Sequence, residues 1–569
     1  MRISRIVPSL IRPLANSLWY LLSLPESLAF HRARRDVAAT QETLLLRLLR
    51  ANAQTEFGRR YNFAGIRSAA GYQASVPLST YDDYETLIQR IGAGQSGVLT
   101  HDPVLLFEPT SGSTAATKMI PYTAGLKAEF QRAIAPWIVN LFTHDPALLL
   151  GQAYWSVTPV TRRNERTPGG LPIGFEEDSE YFGRLQRHLI QAVMAVPAQV
   201  RLIDEMEAFR YVTLLFLLRS ESLRLISIWN PTFLILLLER LAGWWSQLAA
   251  DIAQGSLSPP TPLAPELHTH FEALNRPGPD RAAAIRATFE TGSDPGITHT
   301  RLWPQLQLIS CWTEANAARY VPDLARLLPQ VRIQGKGLIA TEGIVSFPLA
   351  EFSGGAALAI RSHFFEFIPT TQPSVTPDHH SPRLAHELET SGQYAVVLTT
   401  GGGLYRYRLN DLVEVVGHLG TCPLLRFVGK EVYISDWFGE KLNERHVRQA
   451  LDKLLSRQGI PARFAMLACE EEEGRHAYTL FIEANGVLDE TLLRLGQALE
   501  IELRDNYHYR YCRDLGQLEA LRVFRIDGGA LDTYLAACQS HGQRAGDIKP
   551  IALHRLGGWA AAFRGRMIG

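Results

Sequence analysis

A chain of 569 residues is too long for one hydrophobic core, so about two to four domains or subdomains are expected. Charged residues make up 20% and hydrophobic residues 46%, which excludes a disordered chain. Lys+Arg and Asp+Glu both count 57, and zero net charge leaves no electrostatic footprint for nucleic acid or an anionic membrane, although a local basic cleft stays open.

The elements read as follows along the chain. The run 18–24 follows Arg2, Arg5 and Arg12 and resembles a signal peptide. It lacks a small-residue cleavage site and runs into charged helical sequence, so secretion is not expected. Residues 32–53 carry leucines at helical spacing and predict an amphipathic helix. Residues 76–84 predict a loop entering a helix. Residues 104–107 predict a buried strand leading into a polar loop, and residues 125–137 a helix. The apolar stretch 225–238 is split by Asn230-Pro231 and closed by Glu239-Arg240. It is shorter than the ~20 residues that span a membrane. It reads instead as a strand over 225–229, then a helix with Asn230 as N-cap and Pro231 as first residue.

Residues 256–265 are a Pro-rich surface connection. Short strands are predicted at 306–309, 331–333, 357–368, 395–400 and 412–416, the last two flanking Gly401-Gly402-Gly403. Residues 370–383 have no periodicity and read as a loop. Beyond about residue 430 the pattern becomes helix (440–458), two strands (464–469 and 478–483) and helix (488–505), a small α+β unit. The acidic run 470–473 between those strands reads as a solvated hairpin tip, because adjacent carboxylates on a turn do not converge on a metal. The five cysteines Cys311, Cys422, Cys469, Cys512 and Cys538 are widely spaced, odd in number and without a CxxC. They argue against zinc and against a disulfide framework, and for a reducing, cytoplasmic setting.

Chemistry concentrates in a few clusters. From Thr110 the run Thr110-Ser111-Gly112-Ser113-Thr114-Ala115-Ala116-Thr117-Lys118 holds five hydroxyls, a glycine and a terminal lysine. Such a loop can wrap a polyphosphate through amide and hydroxyl donors and a point charge. Alone it is equally an ordinary Ser/Thr-rich turn. Neither a Walker loop nor a Rossmann fingerprint occurs; Gly335-Lys336-Gly337 lacks the third glycine. In Leu338-Ile339-Ala340-Thr341-Glu342-Gly343 an apolar strand ends in a hydroxyl and a carboxylate. Glu342 can hold Mg²⁺, which uses one or two carboxylates plus substrate phosphates, or it is an exposed turn residue. In Leu404-Tyr405-Arg406-Tyr407-Arg408-Leu409-Asn410-Asp411 strand alternation sets tyrosines against arginines, and Asp411 can accept ribose hydroxyls. The rival reading is an edge strand with a cross-strand ion pair. Gly429-Lys430 lies where composition shifts, as a hinge would, and Lys549 precedes Pro550. Trp229, Asn230, Cys311, Trp312 and Thr313 lie at predicted strand ends, a usual place for ligand contacts, although each reads more readily as a core or cap residue.

In this order and with these separations, the clusters resemble the adenylate-forming, acyl-activating superfamily. The chain more narrowly resembles the auxin-responsive Gretchen-Hagen family of acyl-acid amido synthetases, and is read as a bacterial-type member. The resemblance rests on Thr55-Glu56-Phe57-Gly58-Arg59, Tyr61-Asn62-Phe63, Val76-Pro77-Leu78, Thr110-Ser111-Gly112, Lys118 with Ile120-Pro121-Tyr122-Thr123, and Leu404-Tyr405-Arg406-Tyr407-Arg408. It implies an α/β and α+β fold: a large N-terminal adenylation domain (1–428) with mixed sheets and a β-barrel-like portion, and a small mobile α+β C-terminal domain (429–569). By the resemblance, Thr110, Ser111, Gly112, Ser113, Thr114 and Lys118 hold the ATP phosphates. Thr341 and Glu342 meet the α-phosphate and Mg²⁺, Asp411 the ribose; Lys430 is the basic hinge residue and Lys549 the mobile catalytic lysine.

The implied partners are a small carboxylic acid and an amine or amino acid, with no nucleic acid and no membrane. Oligomeric state stays open, a monomer included. The alternatives are acyl transfer to a thiol (coenzyme A or a carrier protein) and a catalytically silent nucleotide-binding homologue. Three departures stand out. Ala115-Ala116 replaces a glycine of plant members, Leu338 replaces an aromatic that stacks on adenine, and Asn410 replaces the glycine of the YRxGD motif, a mild change because Asn tolerates left-handed backbone.

Overall fold

A computed structural model describes residues 3–110, 118–156, 165–174, 193–292, 294–370, 382–430, 434–435, 437–438, 440, 442–472, 474–540, 543 and 548–569. The chain divides into two units, Met1–Val428 and Gly429–Gly569.

The first unit begins with helices Ile3–Ala33 and Val37–Ala51. The signal-peptide-like run lies inside the first of them, where Trp19 is buried against Phe142 and Trp155. Among the described residues no helix is long and apolar enough to cross a membrane. Strands β1 (Val104–Thr110) and β2 (Lys118–Thr123) form an antiparallel hairpin in which Thr110 faces Lys118. Thr123 then caps helix Ala124–His144 by accepting from Leu126 N.

A parallel sheet follows, built from β3 (Gln152–Trp155), β4 (Leu223–Ser227), β5 (Leu308–Cys311) and β6 (Arg332–Gly335) in that order. Between β4 and β5 runs helix Pro231–Gln254. Its ends are set locally. The Asn230 side chain accepts from Thr232 N at 3.0 Å, Pro231 occupies the first turn, and Gly255 ends it with φ of 77°, the left-handed conformation favoured after a helix. The strand stops at Ser227, two residues before the expected Trp229.

Next come a two-stranded hairpin, β7 (Ile339–Ala340) and β8 (Gly343–Ile344), and a seven-stranded sheet. The latter contains β9 (Ser346–Pro348), β10 (Ala356–Leu358), β11 (Phe364–Pro369), β12 (Arg383–Leu384), β13 (Gln393–Thr399), β14 (Tyr407–Leu419) and β15 (Cys422–Lys430), in the order β12-β11-β13-β14-β15-β10-β9. It stands where the barrel-like portion is expected. The predicted strand 357–368 is two strands, β10 and β11, and most of the loop 370–383 lies outside the described residues.

In the second unit, helices Glu444–Gln458 and Asp489–Leu503 pack on a five-stranded mixed sheet. Its central hairpin pairs Phe464–Glu472 with Arg475–Glu483. One expectation fails in that hairpin: Glu470 is buried and accepts from Gly558 N and Trp559 N at 3.1 and 2.9 Å. It serves the N-terminus of helix Trp559–Ala562, where a carboxylate meets otherwise unpaired amides. The exposed residues Glu471 and Glu472 fit the solvated tip. All five cysteines are buried and unbridged.

Candidate active site

The motif 404–411 is the structural centre of the first unit. Tyr405 is buried, stacks on Phe57 (4.9 Å, 15°) and meets Phe63 edge-on, while its hydroxyl donates to Leu99 O at 2.8 Å. Phe57 and Phe63 belong to the two short motifs near the N-terminus. Thr55 accepts from Gly58 N there at 2.9 Å, and a Cβ at Gly58 would come within 2.1 Å of Asn52 O.

Arg406 breaks the expected alternation. Its φ is +50° and it precedes β14 rather than lying in it. The twist turns its guanidinium inward. There Nε and Nη2 meet Glu366 at 2.9–3.2 Å, and Nη1 donates to Gln73 O and Val76 O at 2.9 and 2.6 Å. Both members of the pair are buried. Asn410 also has positive φ, +61°. It sits in a bulge, since Ala395 pairs with Leu412 while Val397 pairs with Arg408. The extra residues re-aim the strand just before Asp411, which is buried.

Tyr407 is the meeting point. Its hydroxyl lies 3.5 Å from Glu342 Oε1. Burial first, then the charges of Glu342, Tyr81 and Asp411, push its phenol well above the ordinary range. Lys118 Nζ in turn lies 5.6 Å from the centre of the Tyr81 ring, whose hydroxyl accepts from Met119 N at 2.7 Å. Lys118 thus lies against Tyr81 and Glu342 against Tyr407, and the Tyr407 phenol feels the charges of Tyr81 and Asp411 as well.

Thr341 and Glu342 form the two-residue turn between β7 and β8, and Tyr122 donates to Thr341 O at 2.5 Å. The hairpin is braced from behind. Ile344 N donates to His363 Nε2 at 3.1 Å, so the ring proton sits on Nδ1, which donates to Glu129 at 2.8 Å. Glu129 also accepts from Gly401 N through both oxygens, at 3.0 and 2.9 Å. A Cβ at Gly343 would stand 2.7 Å from His363 Nε2, so glycine lets this hairpin lie against the ring. Neither Glu129 nor His363 carries a sequence signal, because the pair is assembled from positions 234 apart.

Ser111, Gly112, Ser113 and Thr114 lie outside the described residues, as does the Thr110 side chain. Leu338 is buried. Lys430 ends β15 and is exposed, following Gly429 with φ of +150°. Lys549 is half-buried in the second unit, its carbonyl accepting from Tyr534 at 3.1 Å. Trp229 and Trp312 face one another at 5.5 Å, both half-buried. Thr313 lies against Gly335, where a Cβ would come within 2.7 Å of its hydroxyl. Asn230 spends its side-chain oxygen on the helix cap. One residue beyond Thr313, Glu314 accepts from Phe427 N at 2.8 Å, and burial pushes its carboxyl up to about 7. Among the described residues no three His, Cys, Asp or Glu side chains gather as a metal cage.

The fold is that of a solved acyl acid amido synthetase, GH3.15, with a TM-score of 0.80 over 95% of this chain and 96% of that one at 19% identity. The same enzyme in complex with 2,4-DB matches with a TM-score of 0.78 and 19% identity over 93% of each chain. Residues 28–333 match the GH3 family N-terminal domain, 356–430 its central domain and 444–555 its C-terminal domain. The chain belongs to the GH3 family, the Gretchen-Hagen family of the sequence resemblance. Similar curated proteins include the probable indole-3-acetic acid-amido synthetase GH3.12 of Oryza sativa subsp. japonica, 26% identical over 91% of this chain and 92% of the relative. Indole-3-acetic acid-amido synthetase GH3.8 of Oryza sativa subsp. indica is 27% identical over 86% and 84%.

Proposed function

We propose that this protein is an ATP- and Mg²⁺-dependent ligase that adenylates an organic acid and transfers the acyl group to an amino acid, forming an amide. Family membership supports the reaction class. The observation that carries the site is Tyr407, whose phenol feels Glu342, Asp411 and Tyr81, the last beneath Lys118. These links support a reading in which three polar stretches far apart in sequence serve one charge-rich triphosphate and its ribose.

A carboxylate is a poor electrophile because its charge repels nucleophiles. Its oxygen attacks the α-phosphorus of ATP, the bond to the bridging oxygen breaks, and pyrophosphate leaves with the electron pair. The amine lone pair then attacks the acyl carbon, AMP departs with the C–O pair, and the amine loses a proton. Lys118 and the loop from Thr110 to Thr114 neutralise and orient the phosphates, Asp411 accepts from the ribose, and Thr341 binds a phosphate oxygen. Glu342 fits Mg²⁺ as a hard oxygen donor, and a single protein carboxylate suffices when phosphates and water complete the shell. When bound, the ion supplies charge neutralisation on the phosphates. Preorganised groups of this kind are worth roughly 10²–10³-fold each.

In the same proposal residues 1–428 are the adenylation domain and 429–569 a mobile domain that carries Lys549, with rotation at Gly429-Lys430 absorbed where backbone φ suits only glycine. Trp229, Trp312 and Thr313 contact the acid. A bacterial-type, cytoplasmic setting belongs to the proposal as well, supported for the compartment by five unbridged thiols; the curated relatives named above are rice proteins.

The test is carboxylate-dependent exchange of labelled pyrophosphate into ATP across a panel of acids, followed by mass spectrometry with amine and thiol acceptors. Exchange plus amide product is expected. Exchange with thioester product only makes the enzyme a thiol ligase, and no exchange with any acid makes it a silent homologue.

A further inference from the structure

Immediately after β6, at the end of the parallel sheet where open α/β folds hold ligands, lies Lys336. It is only 8% exposed. Its ammonium donates to Ser227 Oγ at 2.6 Å and sits 5.1 Å from the Trp229 ring and 5.6 Å from the Trp137 ring. An ammonium has three hydrogens to donate, and among the described residues no carboxylate pairs with this one. A buried cation is normally met by an anion, because removal from water is costly. Burial lowers the amine to a pKa of about 8, which still leaves most of it protonated at neutral pH.

The neighbouring groups are arranged for an incoming acceptor. Trp155, Ser227, Ser310 and Gln334 stand in register across β3 to β6. Ser227 is held by the lysine and Gln334 accepts from Trp137 Nε1 at 3.2 Å. Ser310 Oγ is buried and has no partner among the described residues. A hydroxyl and an ammonium at one sheet end, walled by indoles, match a carboxylate on an otherwise apolar skeleton. The described contacts of Lys336 include none of Tyr81, Tyr122 and Tyr407, which surround Lys118, Thr341 and Glu342. Lys336 and the trio Lys118, Thr341 and Glu342 are thus held by different aromatic residues.

We propose that Lys336, between Trp137 and Trp229, anchors a second carboxylate on the acid, making dicarboxylic acids the preferred substrates. The proposal rests on the ligase reading for the word substrate, and on the Lys336 environment alone for the anion site.

The experiment compares each of succinate, glutarate, adipate, pimelate and terephthalate with its monocarboxylate counterpart, propionate, butyrate, valerate, hexanoate and benzoate. Binding is followed by calorimetry without ATP, and pyrophosphate exchange is measured on the same pairs. Wild type, Lys336→Met and, as a polar isostere should the first fail to fold, Lys336→Gln are compared, with folding checked by circular dichroism. At least one dicarboxylate is expected to bind tenfold or more tighter than its partner and to show the same preference in KM. Both variants should lose that preference while keeping kcat on the monocarboxylate. If no dicarboxylate outbinds its partner, or if the variants keep the preference, the anion site is refuted. Lys336-dependent binding without exchange from any acid would instead refute the ligase reading and leave the anion site standing.

Discussion

The Tyr407 hydroxyl points at the Glu342 carboxylate from 3.5 Å, at the outer limit of a hydrogen bond. Under the ligase proposal, a contact this long leaves the carboxylate oxygen able to take a cation as well.

Glu342→Gln keeps the shape of the β7–β8 turn and removes its charge. Under the ligase proposal, Mg²⁺-dependent pyrophosphate exchange falls about 10²-fold or more, while the melting temperature changes little. Exchange at the wild-type rate with an intact fold would take Glu342 out of the metal site.

Under the same proposal, Lys549→Ala separates the two half-reactions. Adenylate formation slows by about 10²-fold, and aminolysis of a supplied acyl-adenylate proceeds nearly unchanged. Equal losses in both steps, measured by rapid quench, would contradict a lysine that serves only the first.

At Asn410 the backbone decides. With φ of +61°, Asn410→Gly is accepted with a change of about 1 kcal/mol or less, whereas Asn410→Val costs on the order of 1–3 kcal/mol because a β-branched residue resists this region. Urea denaturation reads both. Equal stability of the two variants would mean that the bulge relaxes.

The buried pair Arg406–Glu366 gives an asymmetric expectation. Arg406→Met leaves Glu366 charged and strands Gln73 O and Val76 O, so about 3–5 kcal/mol is lost. Glu366→Gln with Arg406→Met recovers part of it, because no lone charge is left inside. A double variant as unstable as the sum of the singles would show that the two residues act independently.

Stability also depends on pH through Lys336. Its folded pKa of about 8 lies below the ordinary 10.5, so the unfolded chain binds more protons between those values. The folded state is penalised below pH 8, and the penalty fades as pH rises from 8 to about 10.5, by on the order of 3 kcal/mol. Lys336→Met should be more stable than wild type at pH 7, with the gap closing by pH 10.5. Parallel stability curves for the two proteins would show that the amine is not desolvated.

Local signals survived translation into three dimensions. Asn230-Pro231 reads as a cap and first turn because the cap is made within two residues, and the fold places it there. The hairpin 464–483 follows from alternation around a polar tip. Leu404 to Asp411 is legible as an important strand, yet its alternation fails at Arg406, whose left-handed backbone goes with contacts to Glu366 and to carbonyls more than 300 residues earlier. Glu470 looks solvated because the amides it accepts from lie 88 and 89 positions away. Gly335-Lys336-Gly337 draws attention for its glycines, while the lysine is what the sheet buries; no periodicity reveals a cation whose partners come from residues 227–229 and from Trp137.

The reach of Arg406 back to Gln73 and Val76 bears on how this molecule is made. While the ribosome is still working, the segment around residues 69–79 has no guanidinium to donate to its carbonyls and no strand to pair with Ser79. At roughly 5–20 residues per second, that wait lasts on the order of 20–60 s, long enough for a chaperone to find the exposed nascent chain first.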